Sequence, residues 1–573
     1  MTEELTVKTE RVDDIPVLLA HMIKMGLPQL LDEHFPVHGN WQEPSLGWTT
    51  TVWLAHILSE GDHRLNQVQP WVEKRLDSLR GCTGQALAAL AWSDDRLAGV
   101  LTILSDDQGW TSFESSLNCR TIRVYDLSPQ CVRVDGTTVS SYGAVTEEGL
   151  LQFGHSKDHR PDLPQLKVMQ AVLDPLGLPV ATQVVSGEKA DDPLYVPAIA
   201  QVRQGLDRRG LLYVGDSKML ALAVRAFIQA GQDYYLGPLS KVQLSAEQLA
   251  AYLHPVWAKQ VELSPVQRVR AGQPPEVIAE GYELSEVLTT EVEQEALTWV
   301  ERRLVIRSVQ YAQAGEAALH ARLTKAERAL TELTQPKQGR RRLTALEPLR
   351  QAAEAIVQQY QVGTLLSLTY EEQVHERSVR QYRQRPAEVR IDRTVQLKVS
   401  RNEAAIQQAV AQLGWRVYAT NQPADQLSLA QAVLAYRQEY LIEHGFGRLK
   451  GKPLSLSPMY LQDDDRATGL VRLLTIGLRV LTLLEFVVRR GLAQSQEKLS
   501  GLYAGNPNRA TARPSAEMLL TAFKHINLSV VTIGPQVHRH LPPLSDLQQR
   551  ILTLLGFSAD IYTNLAGNSS IPP

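Results

Sequence analysis

The sequence predicts an α/β protein in which a strand-rich core follows a helical region and is interrupted by a large α+β insertion. Three observations carry that prediction. Up to about residue 125, apolar residues recur at three- and four-residue spacing. From Cys131 the period falls to that of strands. Then LLYVG at 211–215 reads as a short buried strand running through Asp216 and Ser217 into an apolar-periodic helix closed by Gly231.

The helical region, 1–125, contains IPVLLAHMIKMGLPQLLDEHF and LGWTTTVWLAHILSE, and shows no clean helix-turn-helix pattern. It reads equally well as a DNA-binding module or as a packing domain. Its first residues, MTEELTVKTERVDD, have no apolar stretch of signal-peptide type. The first part of the core, 126–240, holds CVRVDGTTVSSYG and LKVMQAVLDPLGLPVATQVV, adjacent strands joined by turns, and then the strand-turn-helix unit. The insertion, 241–414, includes an Ala-, Glu- and Lys-rich helical stretch at 311–333 and a second one at 344–360, together a helical hairpin. A second part of the core, 415–465, begins with the strand GWRVYATN and continues into a helix. The final region, 466–573, reads as mainly helical with a polar end.

Composition narrows the function classes. Of 573 residues, 44% are hydrophobic and 21% charged, which excludes collagen-like and disordered chains. Lys plus Arg number 59 against 62 Asp plus Glu, a net charge of −3, so any nucleic-acid surface must be local. One such locality is the run from His375 to Arg401, with eight Lys or Arg against three acidic residues. The triplet at 340–342, RRR, reads either as a solvated turn or as a DNA contact. Cys82, Cys119 and Cys131 are too few and too scattered for a disulfide scaffold or a structural zinc site, which points to a reducing, cytoplasmic interior. GLVRLLTIGLRVLTLLEFVV at 469–488 is long enough for a bilayer. It carries Arg472, Arg479 and Glu485, so a helix buried in protein is expected and no membrane partner.

Three carboxylates stand where chemistry is possible. Asp135 follows the strand VRV and precedes Gly136, a pair that also reads as a hairpin turn. Asp216 ends LLYVG, where an Asp also serves as a helix cap. In an open α/β sheet, residues at strand ends meet at the ligand crevice, so the two can converge despite their separation in sequence. Tyr436, Glu443 and Lys450 are spaced seven and seven, which places them on one helical face. That face reads as solvated by default, but a carboxylate beside a lysine and an aromatic also suits a divalent cation and a phosphodiester backbone. Asp463, Asp464 and Asp465 read as a helix cap. The pairs His155 and His159, and His538 and His540, lack further ligands at zinc spacing.

These residues together resemble the DDE transposases of bacterial insertion sequences, in the branch with a Tyr-x2-Arg-x3-Glu-x6-Lys signature and a long insertion before the Glu. VRVDGTTV, YVGDSKM and YRQEYLIEHGFGRLK carry the likeness, as do GHSKDHRPDLPQLKVMQAVLDPLGLPV and LSPMYLQDDDRATGLVRLLTIGLRVL. One position departs: Glu439 stands where the signature has Arg, although Arg437 could supply that charge. The resemblance implies a ribonuclease-H-like catalytic core with Asp135, Asp216 and Glu443 as the catalytic triad. It further implies two Mg²⁺ ions, with Mn²⁺ able to substitute. Asp135 would bridge the ions, which clamp the attacking and leaving oxygens of an in-line displacement at phosphorus. Tyr436, Arg448, Lys450, Lys157 and Arg160 would hold the DNA backbone near the cut. The implied partner is double-stranded DNA, both element terminal inverted repeats and target, bound by a homodimer in the bacterial cytoplasm at the nucleoid. Two alternatives are a transposase-derived DNA-binding protein that no longer cuts, and a ribonuclease-H-like nuclease that does not join strands.

Overall fold

The computed structural model describes residues 5–270, 272–292, 294–335, 343, 345–379, 388–534 and 536–567. The triplet 340–342 and residues 380–387 of the basic run lie outside the described residues.

The chain opens not with a helix but with a strand, β1 (Leu5–Arg11), before the helical series from Ile15–Met25 to Asp107–Tyr125. Leu5 and Val7 are exposed, so this strand buries little apolar surface and gives almost no signal in its own alternation. Its partner lies more than 500 residues further along the chain.

The core sheet follows. β2 (Cys131–Ser140), β3 (Gln165–Leu173) and β4 (Leu178–Ser186) form an antiparallel meander. β5 (Leu212–Gly215) then adds parallel to the other side of β2, and β6 (Tyr234–Pro238) adds parallel to β5. The crossover helices Tyr195–Leu206 and Leu222–Ala230 make those parallel connections. β3 is buried at every position, as expected for a strand with neighbours on both sides and both faces covered. The order β4-β3-β2-β5-β6 is a ribonuclease-H-like core within a mixed α/β chain.

The insertion is less detached than its sequence suggests. β7 (Ser264–Arg268), β8 (Glu276–Val292) and β9 (Glu295–Ser308) continue the same sheet, giving the order β4-β3-β2-β5-β6-β12-β9-β8-β7 once β12 (Trp415–Thr420) inserts between β6 and β9. Beyond β9 the chain does leave the core. The helices Val309–Thr334 and Leu346–Tyr360 pack with the hairpin of β10 (Leu366–Val379) and β11 (Glu388–Arg401). Their own apolar cluster includes Leu319, Leu323, Leu330, Leu349 and Leu397.

After β12 come two short helices, Leu429–Tyr436 and Tyr440–Lys450, and then the 32-residue helix Asp464–Ser495. Asp463 caps that helix, accepting from the Arg466 amide at 2.9 Å. Its interior charges are all paired within the protein. Arg472 bonds the Leu104 carbonyl at 2.9 Å and pairs with Asp107, Arg479 pairs with Glu114 and bonds Asn118 at 2.8 Å, and Glu485 takes Arg448, Arg489 and the Ala516 amide. That satisfaction identifies it as a core helix. Among the described residues no helix is long and apolar enough to cross a membrane. The C-terminal region is not wholly helical: β13 (Asn527–Ile533) pairs with β1 on one side and with β14 (Gln536–His540) on the other.

Candidate active site

Asp135 is not in a turn. β2 runs straight through it, pairing Asp135 with Gln170 and Gly136 with Met169. The Gly136 amide donates back to Asp135 Oδ1 at 2.7 Å, and Lys157 Nζ reaches the same oxygen at 3.3 Å. A side chain on Gly136 would meet Met169 Sδ at 3.0 Å, so the small residue keeps the two strands close behind the carboxylate.

Asp216 lies just beyond the end of β5, and the parallel register that sets Val134 against Gly215 places it beside Asp135, about 5 Å away along the hydrogen-bonding direction. It does not cap the helix Leu222–Ala230, whose first turn begins after Ala221. Its Oδ1 accepts from the Lys218 amide at 2.9 Å, from the Met219 amide at 3.3 Å and from the Tyr195 hydroxyl at 2.7 Å. Both aspartates therefore spend Oδ1 on local bonds that fix their orientation, and Oδ2 of each makes no hydrogen bond among the described residues.

The helical side of the site is hinged. The sequence spacing puts Tyr436, Glu443 and Lys450 on one helix, but the helix ends at Tyr436 and a new one starts at Tyr440. Tyr436 is buried with its ring 4.8 Å from that of Tyr418. The pocket beside the middle of β2 and past the end of β5 is lined by Asp135, Asp216, Tyr436, Glu439, Arg133 and Ile442, among others. Glu443 does not line it; it lies exposed one turn further on, beside Glu439. Burial, and then the negative charge of Asp216, raise the Asp135 carboxyl above its usual range against the pull of Lys157. Burial followed by Asp135 and Glu443 raises Glu439 as well.

The basic residues divide. Lys157 also bonds the Gly136 carbonyl, and Lys450 Nζ reaches Thr137 Oγ1 at 2.9 Å and Asp158 at 2.5 Å, so both stand next to the Asp135 strand. Arg160 is exposed and paired with Asp162 at 2.8 Å. Arg448 faces the other way: it is 8% exposed and its guanidinium pairs with Glu485 and, at 2.9 Å, with Glu517. Its charge is taken up in joining the helix Tyr440–Lys450 to the long C-terminal helix.

The donor set in this pocket is all carboxylate oxygen, which suits a hard divalent cation. Among the described residues no three Asp, Glu, His or Cys side chains are already drawn together closely enough to hold one. The His155/His159 and His538/His540 pairs form no such group either.

Residues 127–478 match the family model described as the transposase DDE domain. The chain belongs to the DDE transposase family. Its members are enzymes that cut and transfer nucleic-acid strands, and all three acidic candidates of this chain fall within the matched residues. No curated protein matches the sequence. Among solved structures, a piggyBac transposase synaptic complex with hairpin DNA aligns at 7% identity over 96% of this chain and 80% of that one, with a TM-score of 0.31. At that score the two share too little geometry for one to inform the other.

Three parts of this candidate site carry little signal in the sequence. Arg133, two residues before Asp135 and 2% exposed, holds Asp174 through two bonds of 2.7 Å and the Ala435 carbonyl at 2.5 Å, latching the helix Leu429–Tyr436 onto β2. An arginine inside an alternating apolar strand was the available signal. Tyr195, in the block DDPLY, gave none, because nothing local ties it to Asp216. Glu439 was visible only as a departure from the signature.

Proposed function

We propose that the protein is an insertion-sequence transposase that binds the ends of its element and carries out metal-dependent cleavage and transfer of DNA strands. The observation that supports this most is the convergence of Asp135 and Asp216 on neighbouring parallel strands, each with one carboxylate oxygen fixed and one unengaged among the described residues. Asp135, Asp216 and Glu443 would hold two Mg²⁺ ions, for which Mn²⁺ substitutes. When bound, such ions activate the attacking oxygen and neutralise charge on the leaving one.

The chain's own residues supply the framework. Gly136 and Lys157 orient Asp135, while Tyr195 and the turn at Lys218 and Met219 orient Asp216, so neither carboxylate has to be immobilised at the moment of reaction. Lys157, Lys450 and Arg160 would lie along the phosphate path and position the backbone without reading sequence. Double-stranded element ends and target DNA are the proposed partners, bound by a homodimer in the bacterial cytoplasm at the nucleoid.

The test is cleavage of a duplex carrying flanked element ends, with Mg²⁺, at matched DNA occupancy. Asp135→Ala, Asp216→Ala and Glu443→Ala are each expected to lower cutting about a hundredfold or more while leaving binding intact. Wild-type binding with no cutting would favour a DNA-binding descendant of a transposase, and cutting without joined products a nuclease.

A further inference from the structure

We propose that Glu439 is a ligand of the divalent ion held by Asp135 and Asp216. This rests on the metal-site reading above and adds to it a residue specific to this chain, at the position where the family signature carries the opposite charge.

Asp135, Asp216 and Glu439 line the pocket, and Glu443 does not. Glu439 precedes the helix Tyr440–Lys450 with helical backbone angles, so Glu439 and Glu443 are separated by one turn and project to the same side. A metal between the two aspartates is therefore within the sweep of both, and Glu439 is the one already at the pocket wall.

Of the nearby cations, Arg133 is committed to Asp174 and the Ala435 carbonyl, Lys218 to Asp191, and Arg437 to the Ile278 carbonyl and Ser308 at 3.1 and 3.0 Å. Among the described residues, Lys157 alone forms an ion pair with a pocket carboxylate, that of Asp135. Glu439 makes no ion pair among the described residues: the Tyr436 hydroxyl hydrogen-bonds to it, and the charges that act on it, Asp135, Glu443 and Asp216, are all negative. Three half-buried carboxylates against one lysine leave an uncompensated negative charge, which a protein interior tolerates poorly. A divalent cation compensates it and uses the unengaged aspartate oxygens. The signature's arginine has no acceptor and cannot ligate a cation, so a metal bond at this position is open to Glu439 and not to the residue it replaces.

The experiment is Mn²⁺ titration of the full-length protein, followed by electron paramagnetic resonance, for wild type, Asp135→Asn, Asp216→Asn, Glu439→Gln and Glu439→Asp, with thermal melting in EDTA as the folding control. Glu439→Gln is expected to weaken Mn²⁺ binding roughly tenfold or more, with Glu439→Asp retaining part of it. In EDTA the Gln variant should melt at or above the wild-type temperature, since a repulsive charge has been removed; a residue serving only to pack the pocket would lower it. Wild-type Mn²⁺ affinity in Glu439→Gln, together with its loss in the two Asp→Asn variants, would overturn this assignment and leave the metal site standing. Unchanged affinity in the Asp→Asn variants would overturn the site reading and this inference with it.

Discussion

Asp191 illustrates how a single residue near the site holds its surroundings by charge. Burial alone would raise its carboxyl, but hydrogen bonds from Lys167 at 2.6 Å and from Lys218 hold it down to about 2. Lys167 comes from near the start of β3 and Lys218 from the turn that orients Asp216, so Asp191 ties the sheet to the site. Its folded value lies below the unfolded one of about 3.9. The stabilisation is thus fully present above pH 4 and is lost as the pH falls through about 2. The melting-temperature gap between wild type and Asp191→Asn is expected to be constant from neutral pH down to about pH 5 and to close between about pH 4 and pH 2. A gap independent of pH over that window would show that the lysines do not act through charge. Glu439→Arg changes the charge of the pocket directly. Adding the signature's cation beside the aspartates should strengthen duplex binding in EDTA and weaken Mn²⁺ binding, both readable by titration.

At the scale of elements, the site depends on how the helix Leu429–Tyr436 is fastened to β2. Ser428 and Gln431 form a capping box at its start, and Arg133 grips the carbonyl near its end. The turn at 437–439 that follows is what brings Glu439 to the pocket wall. Arg133→Met breaks a buried, bidentate pair and strands Asp174, and is expected to cost about 3–5 kcal/mol in urea unfolding. Restoring an apolar partner with Asp174→Leu in the same chain should recover much of that loss without restoring the latch, so cleavage should stay depressed in the double variant. Recovery of both stability and cleavage would indicate that Arg133 is dispensable for placing the helix.

The whole molecule is closed by contacts between its two ends. β1 pairs with β13, and Glu10 on β1 is fully buried, accepting from the Ser78 amide and hydroxyl, each at 2.8 Å, at the start of the helix Leu76–Thr83. The helix Asp464–Ser495 meanwhile packs on β4 and on the helix Asp94–Leu104. N- and C-terminal regions thus share one core. Glu10→Ala leaves those donors buried and is expected to lower stability by about 1–3 kcal/mol, with both regions unfolding together by hydrogen exchange. Loss of protection confined to residues near β1 would refute that coupling.

Periodicity by itself determined the helical series before β2, the β2 to β5 core and the long buried helix, because alternation and the three-to-four spacing reflect contacts made within each element. It also offered Asp135 and Asp216 as strand-end carboxylates, and the ordered motifs pointed to the transposase family. β1 and β13 were decided elsewhere, since an edge strand with exposed Leu5 and Val7 takes its order from a partner more than 500 residues away. The same holds for Arg448 and Glu439. A heptad count assumes one unbroken helix; the break after Tyr436 turned Glu439 toward the aspartates, and the packing of the next helix on Asp464–Ser495 buried Arg448 against Glu485. Which face of a helix meets a site depends on the rotation at which it docks, and that rotation is set by residues distant in sequence.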